Sequence, residues 1–248
     1  MAFYIIADLH LSESSTELNL AFEAFVKRLR SGDKLFIAGD LFDFFVGIDL
    51  SDRAQLVVRR SIKEAKAAGV SVLFTPGNRD FLIRKSEAQY FGFELLPEFH
   101  VIKAPYGDVL LTHGDALCTN DLKYQKFKRR CRNPALQQLF LLLPLSLRRK
   151  IGRNIRAKSA NAAYLRVRNQ KLYGAVPATI EKLLSTFKCS NLVHGHFHIF
   201  ERRYRECRSE KARLSLGAWG DTYSYVRMDG NGLAHVQKPL TDLIDKSF

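Results

Sequence analysis

No Asp or Glu occurs between Leu122 and Ile180, although this stretch contains fifteen Lys and Arg residues. The whole chain has 39 basic and 25 acidic residues, so the remainder holds 24 basic residues (39 − 15) against 25 acidic ones and is nearly neutral. One segment therefore carries the entire excess of positive charge. Solvated helical faces usually mix charges of both signs, so we expect this segment to face an anionic partner.

Cysteine is also scarce, and no apolar run is long. The four Cys residues have no CxxC spacing, which favours reduced thiols in a cytosolic setting. The opening stretch "MAFYIIADLH" lacks a basic region and a cleavage site, so we expect no signal peptide. No apolar run approaches the roughly 20 residues that a membrane-spanning helix needs. These absences leave a globular chain of 248 residues, enough for one large domain or two small ones.

A pattern occurs five times along the chain: a short apolar run followed by a polar cluster. The runs are rich in β-branched and aromatic residues and have the length of buried strands. The polar clusters are Asp8 with His10, Asp40 with Asp43, Asn78 with Arg79 and Asp80, His113 with Asp115, and the histidines of "HGHFH" (194–198). Five clusters in succession are hard to explain as ordinary turn residues.

Helical patterns separate the early apolar runs. The stretch "ELNLAFEAFVKRLR" (17–30) places apolar residues on one stripe, and "DRAQLVVRRSIKEAKAAG" (52–69) ends at a Gly suited to a helix terminus. This alternation predicts an α/β fold whose early strands are parallel. Ligands of such sheets bind beyond the carboxyl ends of the strands, where all five polar clusters fall.

Asp, Asn and His together offer oxygen and imidazole ligands without thiolate, a set that suits Mn, Fe or Zn. His194, His196 and His198 would share one face of an extended strand, and spacing alone does not select the ligands among them. Seven such ligands fit two ions that share a carboxylate. Two-metal sites clamp a phosphoryl group for in-line attack, so the residues indicate phosphoester or phosphoanhydride hydrolysis.

In this order, the motifs D-x-H (8–10), G-D-x-x-D (39–43), G-N-x-D (77–80), H-G-D (113–115) and G-H-x-H (195–198) resemble those of the calcineurin-like metallophosphoesterases. The resemblance implies a single domain over residues 1–248, built as a four-layer αββα sandwich. It also implies that a basic, partly apolar helical cap is inserted at about 121–176.

The resemblance further implies two divalent metal ions, with Mn²⁺ expected. It assigns Asp8, His10, Asp40 and His198 to one ion. It assigns Asp40, Asn78, His113 and His196 to the other, so that Asp40 bridges. His194 is then expected to be structural, and Asp43 to orient a ligand.

The residue after the Asn of the third motif is His in many relatives and Arg79 here. A guanidinium binds phosphate bidentately, so we expect Arg79 to clamp a phosphoryl oxygen and, with Asn78, to stabilise the transition state.

Further stretches resemble one branch of the family, the pyrophosphohydrolases that cleave UDP-2,3-diacylglucosamine in lipid A synthesis. These are "GNRDFL" (77–82), "HGDALCTND" (113–121), "YQKFKRR" (124–130), "LFLLLPLSLRRKI" (139–151) and "RAKSAN" (156–161). The branch implies attack by a metal-bridged hydroxide, release of UMP and 2,3-diacylglucosamine 1-phosphate, and a cytoplasmic monomer that works at the inner face of the inner membrane.

The resemblance to this branch also implies which residues bind the substrate: Asn78, Arg79, Asp121, Ser159 and His196. Beyond Ser159 the pattern departs: Ala163 and Arg166 stand where relatives have Asn and Lys. Arg166 is the expected replacement for the Lys, with Asn161, Arg168 and Lys171 as alternatives after a register shift.

The apolar run from Leu136 to Leu147, flanked by basic clusters, suits a membrane interface, an acyl-chain pocket or the core of the cap. We therefore expect a lipid substrate and no nucleic acid. The enzymatic alternative is another two-metal phosphodiesterase or nuclease whose basic cap grips nucleic acid. The non-enzymatic alternative, a binding module with a degenerate site, is disfavoured because all seven expected ligands are present.

Overall fold

The computed structural model describes residues 1–168, 173–204 and 212–244, without the side chains of 159–168 and 204. The strands are β1 Phe3–Ile6, β2 Lys34–Ile37, β3 Ser71–Phe74, β4 Glu94–Leu95, β5 His100–Ile102, β6 Val109–Thr112, β7 Asn191–His194, β8 Glu201–Tyr204, β9 Ala212–Ser215, β10 Thr222–Asp229 and β11 Gly232–Pro239. The helices are α1 Thr16–Lys27, α2 Arg53–Ala67, α3 Lys85–Phe91, α4 Leu122–Cys131, α5 Pro134–Leu141, α6 Leu145–Arg168, α7 Pro177–Thr186 and α8 Thr241–Ile244.

The strands form two sheets. The first has the order β11-β10-β1-β2-β3-β4, and the second has the order β5-β6-β7-β9-β8. Strands β1 to β4 are parallel, as are β6, β7 and β9. The antiparallel pairs are β1 with β10, β10 with β11, β5 with β6 and β8 with β9. The predicted parallel arrangement of the early strands is confirmed. The later strands divide, because β5 to β9 form the second sheet whereas β10 and β11 join the first.

Alternation along β1 explains why the sheets stack. Ile5 belongs to the apolar core between the sheets, where it shares a cluster with Val109 and Leu214. Its neighbour Ile6 points to the other face and belongs to the cluster that includes Phe22 of α1. A third cluster packs α7 against the outer face of the second sheet. The layers are therefore helix, sheet, sheet, helix, in agreement with the predicted sandwich.

Local signals fix the outer helices. Helix α2 begins after Asp52, whose carboxylate accepts hydrogen bonds from the amides of Ala54 (2.9 Å) and Gln55 (3.2 Å). It ends before Gly69, which has the left-handed φ of +86° predicted for a helix terminus. On α1, the predicted stripe is buried at Phe22 and Phe25. Amphipathic patterning therefore sets these two helices against the first sheet.

Helices α4, α5 and α6 follow β6 and form the region that we call the cap. In its apolar run from Leu136 to Leu147, four leucines are exposed: Leu136 (49%), Leu139 (63%), Leu142 (72%) and Leu147 (41%). No helix in the described part of the chain is long and apolar enough to cross a membrane. The apolar run is thus largely a surface of the cap, and only part of it serves as the interior of the cap.

Candidate metal centre and active site

The five polar clusters meet at one end of the sandwich because each lies at or just beyond the carboxyl end of β1, β2, β3, β6 or β7. Beyond β1 and β2 the ladder continues irregularly. The Asp8 amide donates to the Gly39 carbonyl (3.2 Å), and the His10 amide donates to the Asp40 carbonyl (3.1 Å). The first two clusters are therefore held side by side by backbone hydrogen bonds.

Backbone strain concentrates at these residues. In the described ranges, six non-glycine residues have positive φ, and five of them are predicted metal ligands: Asp8, His10, Asp40, His196 and His198. Each such conformation costs roughly 1–3 kcal/mol and persists only where the surrounding structure enforces it. The strain indicates that the fold sacrifices stability to aim these side chains at a common point.

Glycine permits the close approach of two of these loops. A Cβ on Gly39, where φ is +80°, would lie 2.5 Å from the Gly77 nitrogen, and a Cβ on Gly77 would collide with the Asp40 carboxylate. Asp80 joins the same loops, because its carboxylate accepts hydrogen bonds from the amides of Gly77 (2.7 Å) and Leu41 (2.7 Å). These two hydrogen bonds of Asp80 thereby hold the backbone next to Asp40 and Asn78 in place.

The first group of side chains comprises Asp8, His10, Asp40 and His198, whose potential ligand atoms all lie within 4.8 Å of one another. The Nε2 atoms of His10 and His198 are only 3.1 Å apart. Asp8 Oδ1 is buried and has no hydrogen-bond partner. A buried carboxylate oxygen without a hydrogen bond, beside two imidazole nitrogens at this distance, fits a bound cation.

Electrostatics lead to the same conclusion for this group. Burial raises the pKa of Asp8 to about 7; His113 opposes this shift and the Asp40 carboxylate adds to it. Burial also lowers the pKa of His10 well below its usual value, helped by the positive charge of Arg79. A divalent cation would stabilise ionised Asp8 and neutral His10 together.

The second group surrounds Asn78. Its Oδ1 atom lies 2.7 Å from His196 Nδ1 and 3.0 Å from His113 Nε2, while His113 Nε2 is 3.5 Å from Asp40 Oδ1. The other ring nitrogen of His113 donates to the Ala38 carbonyl at 2.8 Å, so Nε2 presents its lone pair to the cluster. Asp40 borders both groups, which fits a shared carboxylate.

His194 does not join either group. Its ring is fully buried, donates from Nδ1 to the Gly195 carbonyl (2.8 Å) and faces the Arg213 guanidinium at Nε2 (3.1 Å). Burial, aided by Arg213, lowers its pKa to about 3. Glu201 in turn holds Arg213 at 3.1 Å. His194 is therefore a neutral structural residue beside the loop that carries His196, as predicted.

Arg79 contacts Asp40, the carboxylate that borders both groups. Its amide donates to Asp40 Oδ1 (2.9 Å) and its Nε is 3.2 Å from Asp40 Oδ2, while a terminal nitrogen binds Asp43 at 2.6 Å. Asp43 also binds Nε of Arg156 at 2.9 Å. Asp43 thus orients two arginines, and the prediction that it orients a metal ligand is not what the contacts show.

Sequence reasoning missed Arg156 and a second network centred on Asp115. The fully buried Asp115 carboxylate accepts hydrogen bonds from Tyr124 Oη (2.8 Å) and Arg132 (3.1 Å), and Lys128 lies 3.1 Å away. Burial raises the pKa of Asp115, but Arg132, His113 and Lys128 outweigh it and hold the pKa below its usual range. Only the H-G-D motif hinted at Asp115, and no local pattern identifies its partners on the cap.

Of the predicted substrate-binding residues in the cap, only Asp121 has a described side chain. Asp121 caps helix α4, accepting a hydrogen bond from the Tyr124 amide at 2.9 Å. Ser159, Asn161, Arg166 and Arg168 lie in the part of α6 whose side chains are outside the described residues, and Lys171 is outside them altogether.

The model of the calcineurin-like phosphoesterase family matches residues 1–200. A UDP-2,3-diacylglucosamine hydrolase of Actinobacillus succinogenes is 40% identical over 229 residues, which cover 91% of this chain and 94% of the relative. Proteins of the same name from Haemophilus influenzae (38%, covering 92% and 95%) and Neisseria meningitidis (36%, covering 94% and 96%) are similar along almost their whole length. On these grounds, and with its five converging loops, the chain belongs to the calcineurin-like phosphoesterase family.

Proposed function

We propose that this chain hydrolyses the pyrophosphate bond of UDP-2,3-diacylglucosamine, releasing UMP and 2,3-diacylglucosamine 1-phosphate for lipid A synthesis. The assignment of this substrate is supported chiefly by the extent of the sequence similarity. The diacylglucosamine hydrolases match this chain over more than nine-tenths of its length, so the match includes the cap as well as the metal-binding loops. A shared metal centre alone would support only phosphoester hydrolysis of some kind.

Two divalent ions, Mn²⁺ in our proposal, would occupy the centre. One is held by Asp8, His10, Asp40 and His198, and the other by Asp40, Asn78, His113 and His196. Bound at these side chains, the ions supply Lewis acidity and a strongly nucleophilic oxygen at neutral pH. The unpartnered Asp8 Oδ1 and the 3.1 Å approach of His10 to His198 support the first assignment. The convergence of two imidazoles on Asn78 Oδ1 supports the second.

Arg79 and Asn78 act on the substrate in this proposal. The Arg79 guanidinium is nearly buried, and Asp40 and Asp43 hold it in place beside the centre. A fixed guanidinium stabilises charge that develops on a phosphoryl oxygen without reorganising during the reaction. Asn78 is the neighbouring residue in the same loop, and in this proposal it contacts the same phosphoryl group. His196, Asp121, Ser159 and Arg166 are proposed to contact the remainder of the substrate.

The cap is proposed to meet the acyl chains and the cytoplasmic face of the inner membrane. Its exposed leucines supply apolar contact area, and the cap also carries exposed basic residues: Lys123, Lys126, Arg129, Arg130, Lys150 and Lys158. Exposed leucine together with Lys and Arg is the composition of segments that lie in the headgroup region of anionic lipids.

Hydrolysis of UDP-2,3-diacylglucosamine by the purified, Mn²⁺-supplemented protein tests the proposal, with a generic phosphodiester in parallel. We expect UMP as the nucleotide product. In H₂¹⁸O the label should enter UMP, because attack on the uridine-side phosphorus breaks its bond to the bridging oxygen. Release of UDP, or cleavage of the generic substrate alone, would disprove the proposed substrate or bond.

A further inference from the structure

A cavity of about 390 Å³ lies between helix α6 of the cap and the loop after β2. Ligand pockets for small molecules occupy about 300–1,000 Å³, so one half of a nucleotide sugar fits this volume. The cavity is lined by Asp43, Phe44, Val46, Arg149, Arg153, Arg156 and Ala157. None of these residues belongs to the proposed metal ligands.

The α6 wall of this cavity is basic. Arg149, Arg153 and Arg156 are spaced four and three residues apart, which places them on one face of the helix. Arg149 is already paired with Asp49 and with the Ser51 hydroxyl on the body of the protein. Arg153 is exposed and has no acidic partner in the described part of the chain. At least one guanidinium is therefore available to a ligand.

The opposite wall carries an aromatic ring. Phe44 is half-buried, and Gly152 allows α6 to approach it closely, since a Cβ there would lie 2.6 Å from Phe44 Cε1. The cavity thus pairs a partly exposed aromatic ring with guanidinium donors. A flat heterocycle with carbonyl acceptors satisfies both features, because it stacks on the ring and accepts from arginine.

The cavity borders the metal centre through Asp43. This carboxylate lines the cavity and binds both Arg156, at 2.9 Å, and Arg79, at 2.6 Å. Arg79 in turn contacts Asp40 at 3.2 Å. A substrate whose phosphates lie at the centre can therefore extend one of its halves directly into the cavity.

We propose that this cavity binds the uridine nucleotide half of the substrate, with Phe44 stacking on the base and Arg153 donating to it. The two halves of the substrate differ in chemistry, and so do two sides of the cap. The exposed leucines of the α5 region suit acyl chains, whereas the Arg153 guanidinium in the cavity would lose hydration against an acyl chain without gaining a hydrogen bond. This inference rests on the proposed function, because the nucleotide is identified from that substrate.

Calorimetric titration of the Mn²⁺-loaded protein tests the inference with three probes: UMP, inorganic phosphate and diacylglucosamine 1-phosphate. Phe44→Ala and Arg153→Gln should each weaken UMP binding about tenfold, since stacking on an aromatic ring and a charged hydrogen bond each have that order of effect. Binding of inorganic phosphate and of the lipid product should change less than about twofold, because neither ligand reaches the base site. Arg30→Gln, an exposed arginine after α1, is the charge-matched control and should bind UMP like the wild type.

The outcomes separate the two proposals. If wild-type protein binds UMP no more tightly than phosphate, or if both variants retain UMP affinity, the nucleotide site is wrong even where the diacylglucosamine substrate is hydrolysed. If the variants weaken the lipid product instead, the cavity holds the diacylglucosamine half. If UMP binding depends on Phe44 and Arg153 but the nucleotide sugar is not cleaved, the nucleotide site stands and the proposed substrate fails. Arg153→Gln lies on an exposed helical face, so it remains informative if Phe44→Ala disturbs packing.

Discussion

The metal-bearing loops and the cap are fixed by different means. The loops are held by backbone hydrogen bonds, by buried carboxylates such as Asp80, and by strained residues that point inward. The cap is held mainly by long side chains that reach the body. Examples are Arg84 to Gln138 at 3.0 Å and Gln137 to the Phe81 carbonyl at 3.2 Å. One region is rigid by its backbone, and the other is attached through side chains.

This difference changes the interpretation of the basic segment. Among the described side chains of its fifteen basic residues, five face the body: Lys128, Arg132, Arg148, Arg149 and Arg156. The prediction that the segment as a whole faces an external anion is therefore only partly correct. Part of its charge neutralises Asp43, Asp49, Glu98 and Asp115 within the protein.

The comparison teaches where the chemistry and the specificity reside. The loops form a centre that suits phosphoester hydrolysis in general. This centre lies where the carboxyl ends of parallel strands are side by side. The cap adds apolar and basic surfaces that only particular substrates would use. Contacts such as that of Arg156 with Asp43 join the cap to the centre, so we expect substrate choice to depend mainly on the cap and catalysis mainly on the loops.

The largest effect is expected in the loops, from Asp40→Asn. This change keeps the shape of the side chain but removes the carboxylate that borders both groups of proposed ligands. We expect hydrolysis of UDP-2,3-diacylglucosamine and of a generic phosphodiester to fall together, on the order of 10³-fold or more, or at least about 4 kcal/mol. Initial rates with both substrates measure this. A loss confined to the lipid substrate would contradict the proposed role, and unchanged circular dichroism serves as the folding control.

Removal of metal should affect the stability of the same loops. In chelated protein the folded-state pKa values of Asp8 and Asp80 are raised by burial to about 7, from 3.8. The folded chain then keeps protons that the unfolded chain has lost, so the free energy of unfolding should fall as pH rises from about 4 to about 7, on the order of 4 kcal/mol for each carboxyl group.

Divalent metal should offset part of this loss. Mn²⁺ at about a hundred times its dissociation constant should add about 3 kcal/mol of stability at neutral pH. Urea unfolding at several pH values, with chelator or with Mn²⁺, measures both effects. A flat pH profile in the chelated protein would show that the carboxylates are not desolvated there.

At the joint between cap and body, Arg132→Met should destabilise the protein by about 3 kcal/mol, because it leaves the buried Asp115 carboxylate with fewer partners. Arg84→Met removes a partly exposed contact to Gln138 and should cost less than about 1 kcal/mol. The free energies of unfolding in urea distinguish these values. Equal costs would mean that the Asp115 network does not anchor the cap.

Arg132→Met should also change how the free energy of unfolding depends on pH. Asp115 has a folded-state pKa below its usual range, so its stabilisation is present above the unfolded pKa of about 4 and is lost as pH falls below it. The acid limb of the stability profile should therefore be shallower in Arg132→Met than in Arg84→Met.

The position of the metal-bearing loops could be predicted from sequence because each of them directly follows an apolar strand. Asp8 and Asp40 follow short apolar runs, and parallel strands bring such ends together whatever the remaining contacts are. The contact of Arg156 with Asp43 spans 113 residues, and its two partners carry no shared pattern. The same holds for Arg132 and Asp115. Ion pairs between distant surfaces depend on how the cap docks, which hydrophobic periodicity does not encode.

The smallest effect is expected on the exposed face of the cap. Leu139→Ser and Leu142→Ser should each weaken binding to vesicles that contain anionic lipid about fivefold, or about 1 kcal/mol, since each leucine buries only part of its area at a membrane surface. Vesicle sedimentation measures this, with Leu20→Ser on the exposed face of α1 as the matched control. Rates with a water-soluble phosphodiester should stay unchanged in all three variants, because the loops do not depend on these leucines. If Leu20→Ser reduces vesicle binding as much as the cap variants do, or if the soluble substrate is also affected, the cap is not the membrane-facing region. The contrast between a rigid centre and a lipid-facing cap would then fail.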